Sequence, residues 1–305
     1  MGRIIILGGS SFLGRRLIQD LTGLKINVIA TSRKPIKDIL CSSDLLTWRL
    51  CDPQNKKALE ALIKTGDTVI NLIYAGASDI DSAIINNLIE IDKKVKLDKL
   101  IHISTACLGE VAQSSIINEE SIYKPYSSYE IEKLLLENTL INSKISPRLC
   151  IIRPTVIFGP GGQNLKAFIK RAMNKNNLKN FLSILIFGER NMNLIPVKSV
   201  TYLVINCITH KKKLPKILLA SNSGEDFKMK DVINGIYKTL YGKPLLSFSL
   251  PIHISNFILS VTFRRDLYAE KSFVSLYKDF SSLTLTKEKM LEEIASTIRE
   301  IDHED

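Results

Sequence analysis

Tyr129 and Lys133 stand four positions apart in the stretch SSYEIEKLLLE, residues 127–137. On a helix that spacing puts both side chains on one face. A lysine ammonium beside a phenol favours the phenolate and lowers its pKa. A tyrosine so placed moves protons near neutral pH, which an unperturbed phenol, with a pKa of about 10, does not. A second piece, HISTACLGE (residues 102–110), carries two hydroxyls, Ser104 and Thr105. Either can orient a substrate oxygen toward the tyrosine. A YxxxK spacing alone usually marks a surface helix, so its meaning depends on what surrounds it.

Short apolar runs alternate with longer mixed segments through the first half of the chain. Strands are expected at 3–7, 27–31, 46–50, 68–72, 99–104 and 148–153. Helices are expected at 12–22, 54–64, 80–94 and 127–143. Alternation of this kind predicts βαβ units and a parallel sheet, an α/β doubly wound Rossmann-type architecture with right-handed crossovers. Ligands of such sheets bind outside the strands' carboxyl ends, at the switch point. The hydroxyls lie at one of those ends, and the tyrosine helix comes next along the chain.

The first strand runs into GGSSFLG, residues 8–14, and then a helical pattern. Glycines here allow a tight turn and close backbone approach to a pyrophosphate, while the helix N-terminus offers unpaired N–H groups. The second strand ends in IATSRKP. No acidic residue stands where an NAD site places one for the ribose hydroxyls, and Arg33 could instead accept a 2′-phosphate, so NADP is favoured over NAD. Asp52, after the third strand, could accept from an adenine amine or cap the following helix.

The chain has 305 residues, 45% of them hydrophobic, enough for one large domain or two linked ones. The expected division is a dinucleotide-binding domain, 1–158 with about 196–221, and a smaller, discontinuous C-terminal substrate domain, about 159–195 and 222–305. Five cysteines with wide spacings and no CxxC favour reduced thiols in a cytoplasmic protein and exclude an obvious zinc site, so no metal is expected. The net charge of +11 suits anionic ligands, but no nucleic-acid-binding signature accompanies it. The most apolar window, 245–263, is broken by Pro251, His253 and Asn256, and reads as a strand and an amphipathic helix rather than a membrane span.

Taken in order, GGSSFLG, DTVINLIYAGAS, HISTACLG, YEIEK, RPTVIFGPGG and IPVKSV resemble an extended short-chain dehydrogenase/reductase of the NAD-dependent epimerase/dehydratase type over almost the whole length. The resemblance implies Tyr129 as general acid/base, Lys133 as the residue that binds the nicotinamide ribose and tunes Tyr129, and Thr105 as hydroxyl partner, with Ser104 the alternative when counting back from Gly109. It implies cofactor contacts from Gly8, Ser10, Ser11, Phe12, Leu13 and Gly14, from Leu72 and Tyr74 on the fourth strand's end, and from Pro154 and Thr155 after the sixth. Asn164, Lys170 and Arg190 are the substrate-binding candidates.

Three departures stand out: Ser11 replaces the middle glycine, bulky Tyr74 follows the fourth strand, and Ala106 and Cys107 stand where sugar dehydratases of this family carry an acidic pair. Cys107 is expected to be a buried, inert thiol. The implied activity is NAD(P)-dependent epimerisation or reduction of a nucleotide-activated sugar. The alternatives are reduction of a non-sugar carbonyl or a non-catalytic NAD(P)-binding role. The resemblance also implies a homodimer formed through the helices at 80–94 and 127–143.

Overall fold

The computed structural model describes residues 2–36, 43–111, 116–175, 177–210, 213–222, 227–263, 272–277 and 286–304. Cys41, Lys211 and Lys212 therefore lie outside the described residues. The chain opens β1 (Ile4–Leu7), α1 (Phe12–Gly23), β2 (Val28–Ser32), β3 (Leu46–Leu50), α2 (Lys56–Leu62), β4 (Thr68–Asn71), α3 (Ser78–Val95) and β5 (Lys99–Ile103). Three two-residue strands follow: β6 (Glu110–Val111), β7 (Ile116–Ile117) and β8 (Tyr123–Lys124). Next come α4 (Ser128–Ile141), β9 (Leu149–Pro154), β10 (Val156–Phe158), α5 (Lys166–Met173), α6 (Asn177–Phe187), β11 (Leu194–Pro196), α7 (Val197–Thr209) and β12 (Ile217–Ala220). The chain closes with α8 (Met229–Tyr241), α9 (Ile252–Phe263), β13 (Ser272–Phe273) and α10 (Lys287–Glu304).

Seven strands form one parallel sheet in the order β12-β9-β5-β4-β1-β2-β3. The order reverses between β1 and β4, which makes their carboxyl ends the switch point. Ile4, Ile5, Ile6 and Leu7 are all buried, as expected of a parallel strand covered on both faces. Leu88 and Ile91 of α3 and Leu136 and Leu140 of α4 pack in the same core cluster as Ile5 and Leu7.

Two compact units are distinguishable. The first comprises residues 1–112, 122–154 and 198–220; the second comprises 113–121, 155–197 and 221–305. The expected boundary at 158 differs from this because β10 pairs with β11 and not with the large sheet. The second unit has its own core, in which Ile169, Ile184, Ile233, Ile236 and Ile294 are buried. Helix α6 was not anticipated: it follows α5 after a break where Lys175 takes a left-handed φ of 53°. Helix α2 starts two residues later than expected, because Asn55 caps it by accepting from Ala58 N–H at 3.2 Å. Among the described residues no helix is long and apolar enough to cross a membrane, and Pro251 immediately precedes α9.

Candidate active site

The start of α4 is set by a capping box. The Ser127 hydroxyl accepts from Glu130 N–H at 3.2 Å, and the Glu130 carboxylate accepts from Ser127 N–H at 3.1 Å. From there Tyr129, Lys133 and Glu137 follow at four-residue spacing on one face. Glu137 is fully buried and meets Arg153 of β9, whose guanidinium donates to both carboxylate oxygens at 3.1 and 2.6 Å. The Tyr123 ring lies 5.0 Å from that guanidinium. This paired anchor fixes the rotation of α4 against the sheet and so aims the two residues above it.

The Thr105 hydroxyl lies close enough to Tyr129 to hold the phenol's pKa down against the effect of burial. Thr105 Oγ1 also accepts from Cys107 N–H at 3.1 Å, which orients the hydroxyl. Ser104 is different: its hydroxyl is buried and has no hydrogen-bond partner among the described residues. Of the two strand-end hydroxyls, the structure brings Thr105 to the tyrosine.

The expected lowering of the Tyr129 pKa by Lys133 is not seen in this arrangement. Burial raises the Tyr129 pKa, the Thr105 hydroxyl opposes that rise, and Cys107 adds to it. The Lys133 ammonium lies 6.0 Å from the Tyr129 ring centroid but only 3.8 Å from that of Tyr74. Burial lowers the Lys133 pKa to about 8, against opposing pulls from Asp81, Glu132 and Glu137. Lysine and phenol are thus neighbours, with the Tyr74 ring beside both.

A cavity of about 270 Å³ opens at the switch point, lined by Gly8, Ser10, Ser11, Arg33, Asp52, Leu72 and Tyr74, among others. Gly8 takes φ +85°, and its N–H meets Thr31 Oγ1 at 3.3 Å. A Cβ on Gly14 would lie 2.5 Å from the Gly8 carbonyl oxygen, so only glycine lets α1 sit this close to the turn. A Cβ on Gly9 would come within 3.1 Å of the Trp48 ring. Ser11 caps α1 by accepting from Gly14 N–H at 3.1 Å, which leaves its own proton free to donate outward. No acidic side chain lies in the first turn of α1. Backbone donors at a helix start, a cationic side chain and a carboxylate acceptor around one cleft fit a dinucleotide.

The other expected residues divide. Phe12, Leu13 and Gly14 are not among the residues that line the cavity, and the Leu13 side chain is in the core. Asp52 accepts from Gln54 N–H at 3.1 Å, closing the turn before α2 rather than capping the helix itself. Pro154 ends β9, and its carbonyl accepts from Ala106 N–H at 2.8 Å, bracing the Thr105 segment. Thr155 is the first residue of the second unit's 155–197 segment and is buried. Within that unit Asn164 donates to the Ile157 carbonyl at 2.5 Å, Lys170 lies in the last turn of α5, and Arg190 donates to Asn256. Cys107 is exposed, contrary to expectation, because it lies past the strand end.

Sequence reading missed the supporting residues. Asp81 of α3 is buried and accepts from Ala75 N–H at 2.8 Å and Gly76 N–H at 3.0 Å, pinning the loop that carries Tyr74. Asn71 donates to His102 Nδ1 at 3.2 Å and accepts from Ile73 N–H at 3.1 Å. Burial pushes the His102 pKa down to about 3, so its ring is neutral. Only the RP dipeptide and the i,i+4 spacing of Lys133 and Glu137 hinted at this scaffold.

A family model described as NAD dependent epimerase/dehydratase family matches residues 4–216. UDP-glucose 4-epimerase of Vibrio cholerae is 24% identical over 269 residues, covering 82% of this chain and 79% of that protein. Among solved structures, UDP-N-acetylglucosamine 4-epimerase from Methanobrevibacter ruminantium, in complex with UDP-N-acetylmuramic acid, superposes with a TM-score of 0.77. It is 17% identical, and the match covers 100% of this chain and 99% of that one. UDP-glucuronic acid 4-epimerase from Bacillus cereus, in complex with UDP-glucuronic acid and NAD, gives a TM-score of 0.72. It is 20% identical, with coverage of 98% and 99%.

Proposed function

The chain belongs to the NAD-dependent epimerase/dehydratase family, and on that premise we propose that it is an NAD(P)-dependent epimerase or reductase of a nucleotide-activated sugar. One observation carries the reading: the Thr105 hydroxyl lies beside Tyr129, with Lys133 one helical turn further on, in the unit that holds the dinucleotide cavity. The chain's similarity to three sugar 4-epimerases makes a sugar carbinol the favoured reacting group. Ala106 and Cys107, in place of an acidic pair, argue against elimination.

Gly8, Ser10 and Ser11 hold the pyrophosphate, Asp52 the adenine, and Lys133 the ribose at the reactive end. The nicotinamide, when bound, supplies the site that accepts and returns a hydride. Thr105 orients the substrate hydroxyl against Tyr129. Tyr129 takes that hydroxyl's proton as the carbinol is oxidised and returns it on reduction. Arg33 lines the cavity at the end of β2 and favours NADP through its 2′-phosphate. We place the enzyme in the cytoplasm, in keeping with reduced, unbridged cysteines at 51, 107, 150 and 207. We also infer a homodimer through α3 and α4, on which Ile131 and Leu135 are exposed and four positions apart.

The test is a titration of NAD and NADP by calorimetry, followed by NMR of UDP-glucose and UDP-N-acetylglucosamine incubated with the enzyme. The expected result is dinucleotide binding, and C4-epimer or reduced product that disappears in Tyr129→Phe. Arg33→Ala should shift preference from NADP toward NAD by about tenfold. A protein that binds neither dinucleotide overturns the reading.

A further inference from the structure

Tyr74 belongs to two places at once. It lines the cavity with Gly8, Arg33 and Asp52, and it covers the Lys133 ammonium at 3.8 Å. Lys133 is only 3% exposed and donates no hydrogen bond among the described residues, so the ring face is the partner its charge has. A desolvated ammonium over an aromatic face is a favourable pairing. The same ring meets Tyr129 edge-on, with centroids 5.3 Å apart and planes at 82°. One side chain therefore shields both residues of the proton-transferring pair.

The loop is built so that the ring can move while its backbone stays. Asp81 holds Ala75 and Gly76 by their N–H groups, which fixes the positions just past Tyr74. Tyr74 itself is 38% exposed, and its hydroxyl reaches Glu132 only at 3.4 Å. Burial and Glu132 push its pKa up to about 12, so it meets Lys133 as a neutral ring and not as a counter-anion. The charged or titratable groups around Lys133 are Asp81 on α3, Glu132 and Glu137 on α4, and His102 on β5. None of these is hydrogen-bonded to it.

We propose that Tyr74 is a displaceable cap on Lys133: its ring and the reactive end of the dinucleotide compete for the same face of the ammonium. This rests on the functional reading above. A dinucleotide laid along the cavity from the glycine turn reaches Tyr74 before it reaches Tyr129, and rotation of one side chain uncovers both partners. Tyr74 is thereby a positioning residue that sets how tightly the cofactor is held, and it acts through Lys133.

The experiment measures NAD and NADP affinity by calorimetry in wild type, Tyr74→Phe, Tyr74→Leu and Tyr74→Ala, each checked for folding by circular dichroism. The same changes are made on a Lys133→Met background. Removing the ring should tighten binding by about tenfold, the gain of a lost competitor. Tyr74→Phe, which keeps the face, should bind like wild type, and on the Lys133→Met background the Tyr74 changes should have no effect. A second readout needs no cofactor: acylation of Lys133 by a water-soluble amine reagent, followed by peptide mass spectrometry, should be several-fold faster in Tyr74→Leu and Tyr74→Ala. Unchanged or weaker binding in those two variants, or unchanged labelling, overturns the cap while leaving the functional reading intact. Failure of wild type and all variants to bind either dinucleotide overturns both.

Discussion

Arg153 of β9 and Glu137 of α4 form a buried, two-pronged ion pair, at 3.1 and 2.6 Å, one turn beyond Lys133. Removing either partner leaves a charge in the core. Glu137→Ala or Arg153→Ala should therefore cost about 3–5 kcal/mol in urea denaturation. Replacing both by methionine should cost much less than the sum of the single changes. A double variant as damaged as that sum would mean the pair is not the coupled anchor described here.

Thr105 and Ser104 give opposite expectations. Thr105→Ala removes the hydroxyl beside Tyr129 and should lower kcat by about a hundredfold or more, with dinucleotide affinity unchanged. Ser104→Ala removes a buried hydroxyl without a partner, so it should be neutral or slightly stabilising in thermal melts. Equal losses from the two changes would contradict the assignment.

Helix α1 carries two glycines with different reasons to exist. At Gly14 a methyl would sit 2.5 Å from the Gly8 oxygen and 2.7 Å from the Gly9 oxygen. Gly14→Ala should destabilise by about 1–3 kcal/mol and weaken dinucleotide binding measured by calorimetry. At Gly23 a methyl meets nothing within 4 Å, and Gly23→Ala should add about 0.4–1 kcal/mol.

In the second unit Glu189 accepts from Lys228 at 2.7 Å, and from Lys230 and Ser249 at 2.5 Å each. Lys228 and Lys230 hold its pKa down to about 2 from an ordinary 4.5. A carboxylate with a depressed folded pKa adds stability that is present above the unfolded value and lost as pH falls through the folded one. Acid titration between pH 4.5 and 2 should therefore destabilise wild type more steeply than Glu189→Gln, followed by circular dichroism. Parallel curves would show the cluster to be energetically silent.

What could be read in advance followed periodicity and turn chemistry. Residues 4–7 are apolar without a break because both faces are covered, and the helix at 128–141 declares itself by Ser127 and Glu130. Tyr129 and Lys133 were legible for the same reason, since four-residue spacing fixes a shared face. The second layer was not. Arg153 touches Glu137 only because the fold packs α4 on β9, and Asp81 reaches back to Ala75 and Gly76 from the first turn of α3, a local contact that no helix or strand period encodes. The spacing rule names which face Lys133 is on but not which ring stands in front of it. That depends on how far Tyr74 reaches from the end of β4, a distance no periodicity encodes. Cys107 was misplaced because the general tendency of free cysteines to be buried says nothing of a residue that lies past the end of its strand.

The single tryptophan of the chain, Trp48, stands against the glycine turn, where a Cβ on Gly9 would touch it. The protein's indole emission therefore comes from one place, packed against the turn whose neighbours Gly8 and Ser10 line the cavity. Excited near 295 nm, roughly where only indole absorbs strongly, it should be quenched when a reduced nicotinamide dinucleotide binds, since indole lies close enough to pass its energy on. The molecule thus carries a built-in optical gauge beneath the loop in which Ser11 stands for glycine.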